Sequence, residues 1–337
     1  MKKLLYVLFV FGFVTKGLAQ DPEFTQFNSV PLYLNPAFTG STKEHRFAAA
    51  YRNQWPGVQK SFSSYMASYD YNLSKYSSGL GGFVIQDKAG SSVLTNTQFG
   101  LNYSYGFELN PFTKLKGGLQ GCFSQKSYNY NLLTFNDQLI TGTSVSLDEA
   151  NPAASIQYFD VGTGLLLENK LYWLGVSARH IDQPNVSLKG GKEALPMLLS
   201  VHGGYVYELE KAEPVDANST HYIQGLMHYR HQSVYDQLDI GASYFYKVIN
   251  FTVWYRGLPF KKYKPTSAYT TKESVAFMLG YEPKGKGFKI GYSYDLTISS
   301  LSMKNTGGTH EVTLVYEVGK EKAARRSRKA IGGSMKF

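Results

Sequence analysis

Lys289-Ile290-Gly291-Tyr292-Ser293-Tyr294-Asp295-Leu296-Thr297-Ile298 changes character at every step. Ile290, Tyr292, Tyr294, Leu296 and Ile298 fall on one side, and Lys289, Gly291, Ser293, Asp295 and Thr297 on the other. A period of two is the period of a β-strand, whose successive side chains point to opposite faces. The next such segment repeats it, with Val312, Leu314, Tyr316 and Val318 against Glu311, Thr313 and Glu317. The chain keeps this habit after residue 44, breaking at clusters of Gly, Asn, Pro or Lys. An apolar face about ten residues long, rich in Tyr and backed by a small or polar face, is the pattern of a transmembrane antiparallel β-barrel.

Strands are expected at roughly 45–54, 62–72, 79–87, 94–107, 114–126, 154–167, 171–181, 197–208, 221–231, 237–247, 249–257, 273–282, 286–299 and 309–318. That makes fourteen, an even number, as bacterial single-chain barrels have. The connections at 73–78, 108–113, 168–170, around 248 and 283–285 are short, whereas 127–153, 182–196 and 258–272 are long. Such barrels keep short turns in the periplasm and long loops outside. Counting from a periplasmic N-terminus, every long loop falls outside. Residues 209–220 are a longer periplasmic connection, and both chain ends are expected in the periplasm.

Composition agrees with a membrane wall. Aromatic residues make up 15% of the 337, and Tyr alone numbers 27. The Tyr ring is apolar while its hydroxyl seeks water, which suits the headgroup boundary. The single cysteine, Cys122, excludes an internal disulfide. It shares a face with Lys116, Gly118, Gln120 and Ser124 and reads as a small lumen filler. The formal charge of +10 is uneven. Lys2, Lys3 and Lys16 belong to a leader, and residues 320–337 hold seven basic residues against Glu321, leaving residues 20–319 near +1. The basicity is therefore a tail, and nothing points to nucleic acid.

Residues 1–19 read as a signal peptide, with Lys2 and Lys3, an apolar run from Leu4 to Val14, and Gly17-Leu18-Ala19 as a small-x-small cleavage site. Residues 20–44 follow as an irregular N-terminal periplasmic segment. Its Phe24, Phe27, Tyr33 and Phe38 are too many for a solvated linker. Residues 45–319 form the outer-membrane barrel and 320–337 the basic periplasmic tail. Arg325, Arg326, Arg328 and Lys329 in that tail lack an apolar face, which fits either a solvated extension or a contact arm for an acidic partner.

The inner face collects charge: Arg46, Arg52, Arg179, Arg230 and Arg256 with Asp70, Asp239 and Asp295, accompanied by Gln54, Gln224, His202 and His228. An Arg facing lipid at mid-depth costs roughly 2–4 kcal/mol, so these side chains belong in the lumen. A structural ion-pair network is the simpler reading; an ion-selective constriction is the other. Motifs for zinc hydrolysis, nucleophile elbows and phosphate loops are missing from the sequence. His221, His228 and His231 do not make a metal site, since 228 and 231 face opposite ways and 221 and 231 are about 30 Å apart along a strand. His310-Glu311 near Asp295 suggests a hydrolase constellation only faintly, and no nucleophile accompanies it. The chain is expected to be no enzyme, with no catalytic, cofactor-binding or metal-binding residues.

Asp21-Pro22-Glu23-Phe24-Thr25-Gln26-Phe27 and Pro31-Leu32-Tyr33-Leu34-Asn35-Pro36-Ala37-Phe38-Thr39-Gly40 resemble the opening of the PorP/SprF family. Tyr51-Arg52-Asn53-Gln54-Trp55-Pro56-Gly57 is similar to that family's first strand and turn, and Ser68-Tyr69-Asp70 to its second strand. Gly291-Tyr292-Ser293-Tyr294-Asp295 and Gly308-Thr309-His310-Glu311 resemble its last two. The resemblance runs to about residue 318. It implies an outer-membrane component of the type IX secretion system of Bacteroidota. Implied partners are outer-membrane lipid, periplasmic ring or peptidoglycan-associated proteins, and the C-terminal domain of a secreted cargo such as a gliding adhesin. It also points to Asp21, Pro22, Phe24, Gln26, Phe27, Asn35, Pro36 and Gly40 as partner-binding residues. A stand-alone channel for small solutes or lipids is the alternative; a barrel hydrolase is a weaker third.

Overall fold

The structure, a computed structural model, describes residues 21–58, 61–90, 93–129, 136–142, 155–188, 190–209, 221–258, 272–283, 286–299 and 303–319. The leader and the tail, with Arg325, Arg326, Arg328 and Lys329, lie outside the described residues, as do parts of several loops. The strands are β1 (His45–Gln54), β2 (Phe62–Leu73), β3 (Ser78–Ala89), β4 (Leu94–Asn110), β5 (Thr113–Tyr128), β6 (Ser155–Asn169), β7 (Tyr172–Arg179), β8 (Leu198–Glu208), β9 (His221–Gln232), β10 (Tyr235–Tyr246), β11 (Ile249–Gly257), β12 (Lys272–Tyr281), β13 (Phe288–Thr297) and β14 (Thr309–Val318). Each pairs antiparallel with its sequence neighbours, and β14 closes on β1. Closure satisfies every ladder, which is what lets a sheet stand in hydrocarbon.

Alternation carries through to burial. Phe47, Leu101, Leu119, Phe159, Leu279 and Leu314 are exposed on the outer face, and the residues between them are buried. Tyr105, Tyr172, Tyr205, Tyr207, Tyr246, Tyr281 and Tyr316 are exposed near the end of the barrel where β14 finishes. They form an aromatic girdle of the kind that sits at a headgroup boundary. At this girdled end the connections are mostly short. The opposite end carries the long ones, between β5 and β6, β7 and β8, β11 and β12, and β13 and β14.

Residues 21–42 depart from the sequence expectation. They do not sit outside the barrel as a periplasmic segment but fill its interior. Their side chains and backbone touch β1 through Arg46 and Arg52, β2 through Asp70 and β3 through Phe83. They reach β4 and β5 at Asn102 and Lys116, and β6 and β7 at Leu165 and Val176. They meet β8 and β9 at His202 and His228, β11 at Trp254 and Arg256, β13 at Asp295 and β14 at Glu311. A short segment can reach strands all round a closed ring only from within it. The apolar residues that made it a poor linker form the core: Phe24, Val30, Leu32 and Tyr33 pack with Met66, Phe83, Ile85 and Cys122. Phe27, Leu34, Ala37 and Phe38 pack with Leu166, Trp173, Leu226 and Trp254.

This plug also separates the two ends of the described chain. Ser41 bonds Glu168 near the girdled end, at 2.6 Å, whereas Asp21 bonds Arg179, the last residue of β7, at the other end. The described chain therefore starts at the end opposite Val318, while both termini themselves lie outside the described residues. The even strand count places the start of β1 beside the end of β14, but the plug has already crossed the lumen before β1 begins.

Candidate functional site

The plug is built from punctuated turns. Pro31 opens a helical turn, Pro31–Leu34, where its missing N–H costs nothing. Pro36 opens another, Pro36–Phe38, and the Asn35 side chain caps it by accepting from the Ala37 N–H at 2.8 Å. Inward-facing glycines receive this compact backbone. A Cβ on Gly118 would strike Pro36 and Ala37, one on Gly79 would strike Thr39, and one on Gly164 the Asn35 side chain. Gly40 itself adopts φ +70° where the plug turns toward β1. These three glycines are notches in the wall where the plug approaches closely, at 79 and 118 with its backbone and at 164 with the Asn35 side chain.

At the end bearing the long connections, the wall charges close on the plug. Arg52 lies opposite Glu311 across the β1–β14 seam and bonds it at 3.1 Å. The Glu311 carboxylate accepts the backbone N–H groups of Thr25 and Gln26, both at 2.8 Å. Asp295 accepts from the Thr25 hydroxyl at 2.7 Å and from Arg256 at 2.9 Å. Glu23 receives both Arg230 and Arg256 at 2.9 Å, and Asp239 lies 3.4 Å from Arg256. Beside these, Asp21 takes Arg179 at 2.9 Å and His180 at 2.7 Å, while the other His180 nitrogen meets Asp160 at 2.9 Å. Burial alone would push the His180 imidazole down, but Asp21 and Asp160 outweigh it and hold its pKa up at about 9. Burial would likewise raise the Asp21 carboxyl, yet His180 and Arg179 keep it well below the carboxylate range.

Midway, Asn35 donates to the carbonyls of Leu165 and Val176 at 3.1 and 3.2 Å and stands 3.1 Å from His202 Nε2. His202, Ser200 and His228 continue as a buried polar chain at 3.1 and 2.9 Å. At the girdled end Arg46 forks onto Asp70 at 2.8 and 2.9 Å and donates to the Phe38 carbonyl at 3.2 Å. Asp70 in turn accepts the Gly40 N–H at 2.7 Å, and Lys116 donates to the Thr39 carbonyl at 3.0 Å. The crevice left between plug and wall beside Glu23, Phe27, His228 and Arg230 measures about 30 Å³, the scale of a water molecule.

The charges expected in the lumen are all inward, but they form separate groups. Arg52, Arg230, Asp239, Arg256 and Asp295 meet at one end and Asp70 pairs with Arg46 at the other, while Arg179 serves Asp21. Of the N-terminal motif residues, Asp21, Gln26, Asn35 and Gly40 bond the wall, and Phe24 and Phe27 pack against it. Pro22 offers its carbonyl to Tyr33 at 3.1 Å, and Pro36 lies over Gly118. Sequence reasoning missed Glu23, Thr25, Lys116, Asp160, His180 and Glu311 as network members. Alternation already puts Glu311 inside; its partner Arg52 is set only by the closing register. His310 faces out to Tyr292 at 2.9 Å, so the His310-Glu311 constellation does not assemble. His221 and His231 bond Tyr244 and Asp236, apart from His228.

The profile of the family described as type IX secretion system membrane protein PorP/SprF matches residues 17–316. Comparison with curated proteins gives no match. Among solved structures, the toluene transporter TbuX of Ralstonia pickettii is similar at 11% identity and TM-score 0.47, covering 86% of this chain and 92% of that one. The Pseudomonas putida toluene transporter TodX matches at 10% and 0.49, over 86% and 93%. CdiB from Acinetobacter baumannii matches at 10% and 0.42, over 82% and 60%.

Proposed function

Because this chain belongs to the PorP/SprF family of type IX secretion system membrane proteins, we propose that it is a non-enzymatic, plugged outer-membrane barrel that docks secretion machinery and cargo rather than conducting solute. It supports export of secreted proteins, or their attachment at the cell surface, a gliding adhesin among them. The end with the long connections faces outward and meets the C-terminal domain of cargo. The girdled end faces the periplasm and meets ring or peptidoglycan-associated proteins. The observation that carries this reading is the lumen, filled from Asp21 to Gly40 and tied to the wall by ion pairs at one end and by hydrogen bonds from charged wall residues to its backbone at the other. A conduit needs a continuous path; a scaffold needs a rigid body.

The test pairs two measurements. A strain lacking this protein should retain cargo in the periplasm or shed it from the surface, and the purified protein should be silent in planar bilayers. Normal secretion and surface display in the deletion strain would remove the proposal. Steady currents that respond to substitution at Arg52 or Arg230 would favour a stand-alone channel instead.

A further inference from the structure

A cavity of about 400 Å³ opens at the girdled end, below the plug. Its volume is that of a small-ligand site. Tyr222 and Phe245 form one wall, their rings stacked at 4.3 Å between centroids and 13° between planes. Lys43, Lys247 and Lys286 are exposed on its rim, and Lys289 lines it with its ammonium 3.2 Å from Glu282. Glu317 faces the same cavity, buried, and its Oε1 has no hydrogen-bond partner among the described residues. The wall therefore offers several cationic donors, one orphan acceptor and an aromatic face.

We propose that this cavity binds an acidic peptide segment of a periplasmic partner, seating a carboxylate against the lysines and an apolar side chain against Tyr222 and Phe245. The inference rests on the orientation and docking role given above. A peptide carries both kinds of group the cavity requires: side-chain carboxylates for the lysines and backbone N–H donors for Glu317 Oε1. A bare anion such as sulfate supplies no donor to Glu317 and leaves the aromatic wall uncovered. Charge at the exit points the same way. Gly319, the last described residue, lies on the margin of this cavity, and the sequence that follows it, residues 320–337, holds seven basic residues against Glu321. Long-range attraction of an acidic partner to this end follows.

The test uses the full-length protein in lipid nanodiscs. A short fluorescein-labelled peptide alternating glutamate with phenylalanine is titrated by polarisation beside its glutamine counterpart, and purified peptidoglycan fragments serve as competitor. The glutamate peptide should bind at least tenfold more tightly. The triple variant Lys43→Gln, Lys247→Gln, Lys286→Gln should lose about tenfold, the sum expected of a few exposed charge pairs. All three lysines are exposed, so the barrel should keep its heat-dependent gel shift. Phe245→Ala should weaken binding again. Equal affinity for both peptides, or a triple variant that binds as before, overturns the proposal. So does competition by peptidoglycan with the same lysine dependence, which would assign the cavity to the cell wall. Loss of all binding on removing residues 320–337 would give the role to the tail. Secretion separates this from the broader reading: if the triple variant binds nothing yet restores a defective deletion strain, only the cavity proposal falls.

Discussion

Gly117 and Gly118 are neighbours on β5 that face opposite ways, and alanine at each should act with opposite sign. At 117 an added Cβ meets only Leu165 Cδ2, at 3.8 Å, an ordinary contact. Glycine inside an element costs roughly 0.5–1 kcal/mol relative to alanine, so Gly117→Ala should be neutral or slightly stabilising. At 118 the new Cβ lies against the backbone of Pro36 and Ala37, 2.7 Å from Ala37 Cα. Relief requires the plug to lift by roughly 1 Å, and such overpacking costs about 1–3 kcal/mol. Lifting also strains the Asn35–Leu165 and Lys116–Thr39 bonds, at 3.1 and 3.0 Å, worth about 1 kcal/mol each. Gly118→Ala should therefore destabilise by about 2–4 kcal/mol. Urea unfolding in detergent, followed by fluorescence of Trp173 and Trp254 beside Phe38 and Phe27, reads the difference. Equal shifts for the two variants would mean that no plug rests on this wall.

Arg46→Met should cost about 3–5 kcal/mol by stranding buried Asp70, and Arg46→Met with Asp70→Leu should recover part of it in a double-mutant cycle. His180, held near pKa 9 and facing Asp21, Asp160 and Arg179, stabilises the fold fully below its unfolded pKa near 6.5. That contribution, on the order of 3 kcal/mol, should fade as pH rises through 9. The pH-dependence of thermal unfolding should flatten in His180→Gln; an unchanged profile would discount the latch. For orientation, Val58→Cys should react with a membrane-impermeant maleimide on intact cells and Lys286→Cys only after the outer membrane is opened. Native Cys122 is buried and should give no background.

The wall was legible because alternation is local. Each strand declares its two faces within its own residues, and every strand end read from sequence lies within three residues of the observed one. Lipid then decides which face turns outward, so Arg52, Arg230 and Arg256 could be placed inside without coordinates. The misplaced part was the segment before β1. Its Pro, Asn and aromatic residues announce turns and a need for burial, but nothing in them names the surface that buries them. Nothing in the sequence marks the inward glycines at 79, 118 and 164, because only the plug lying against them forbids a Cβ there.

Period-two patterning alone establishes a lipid-facing barrel and the sign of each face, since a strand's side-chain direction depends on nothing beyond its own backbone. Which inward groups meet is another matter. Arg52 and Glu311 stand 259 positions apart, and Thr25 and Asp295 stand 270 apart. Those meetings exist only once the ring has closed in register and the N-terminal segment has been enclosed, because burial of an ion pair is a property of everything surrounding it.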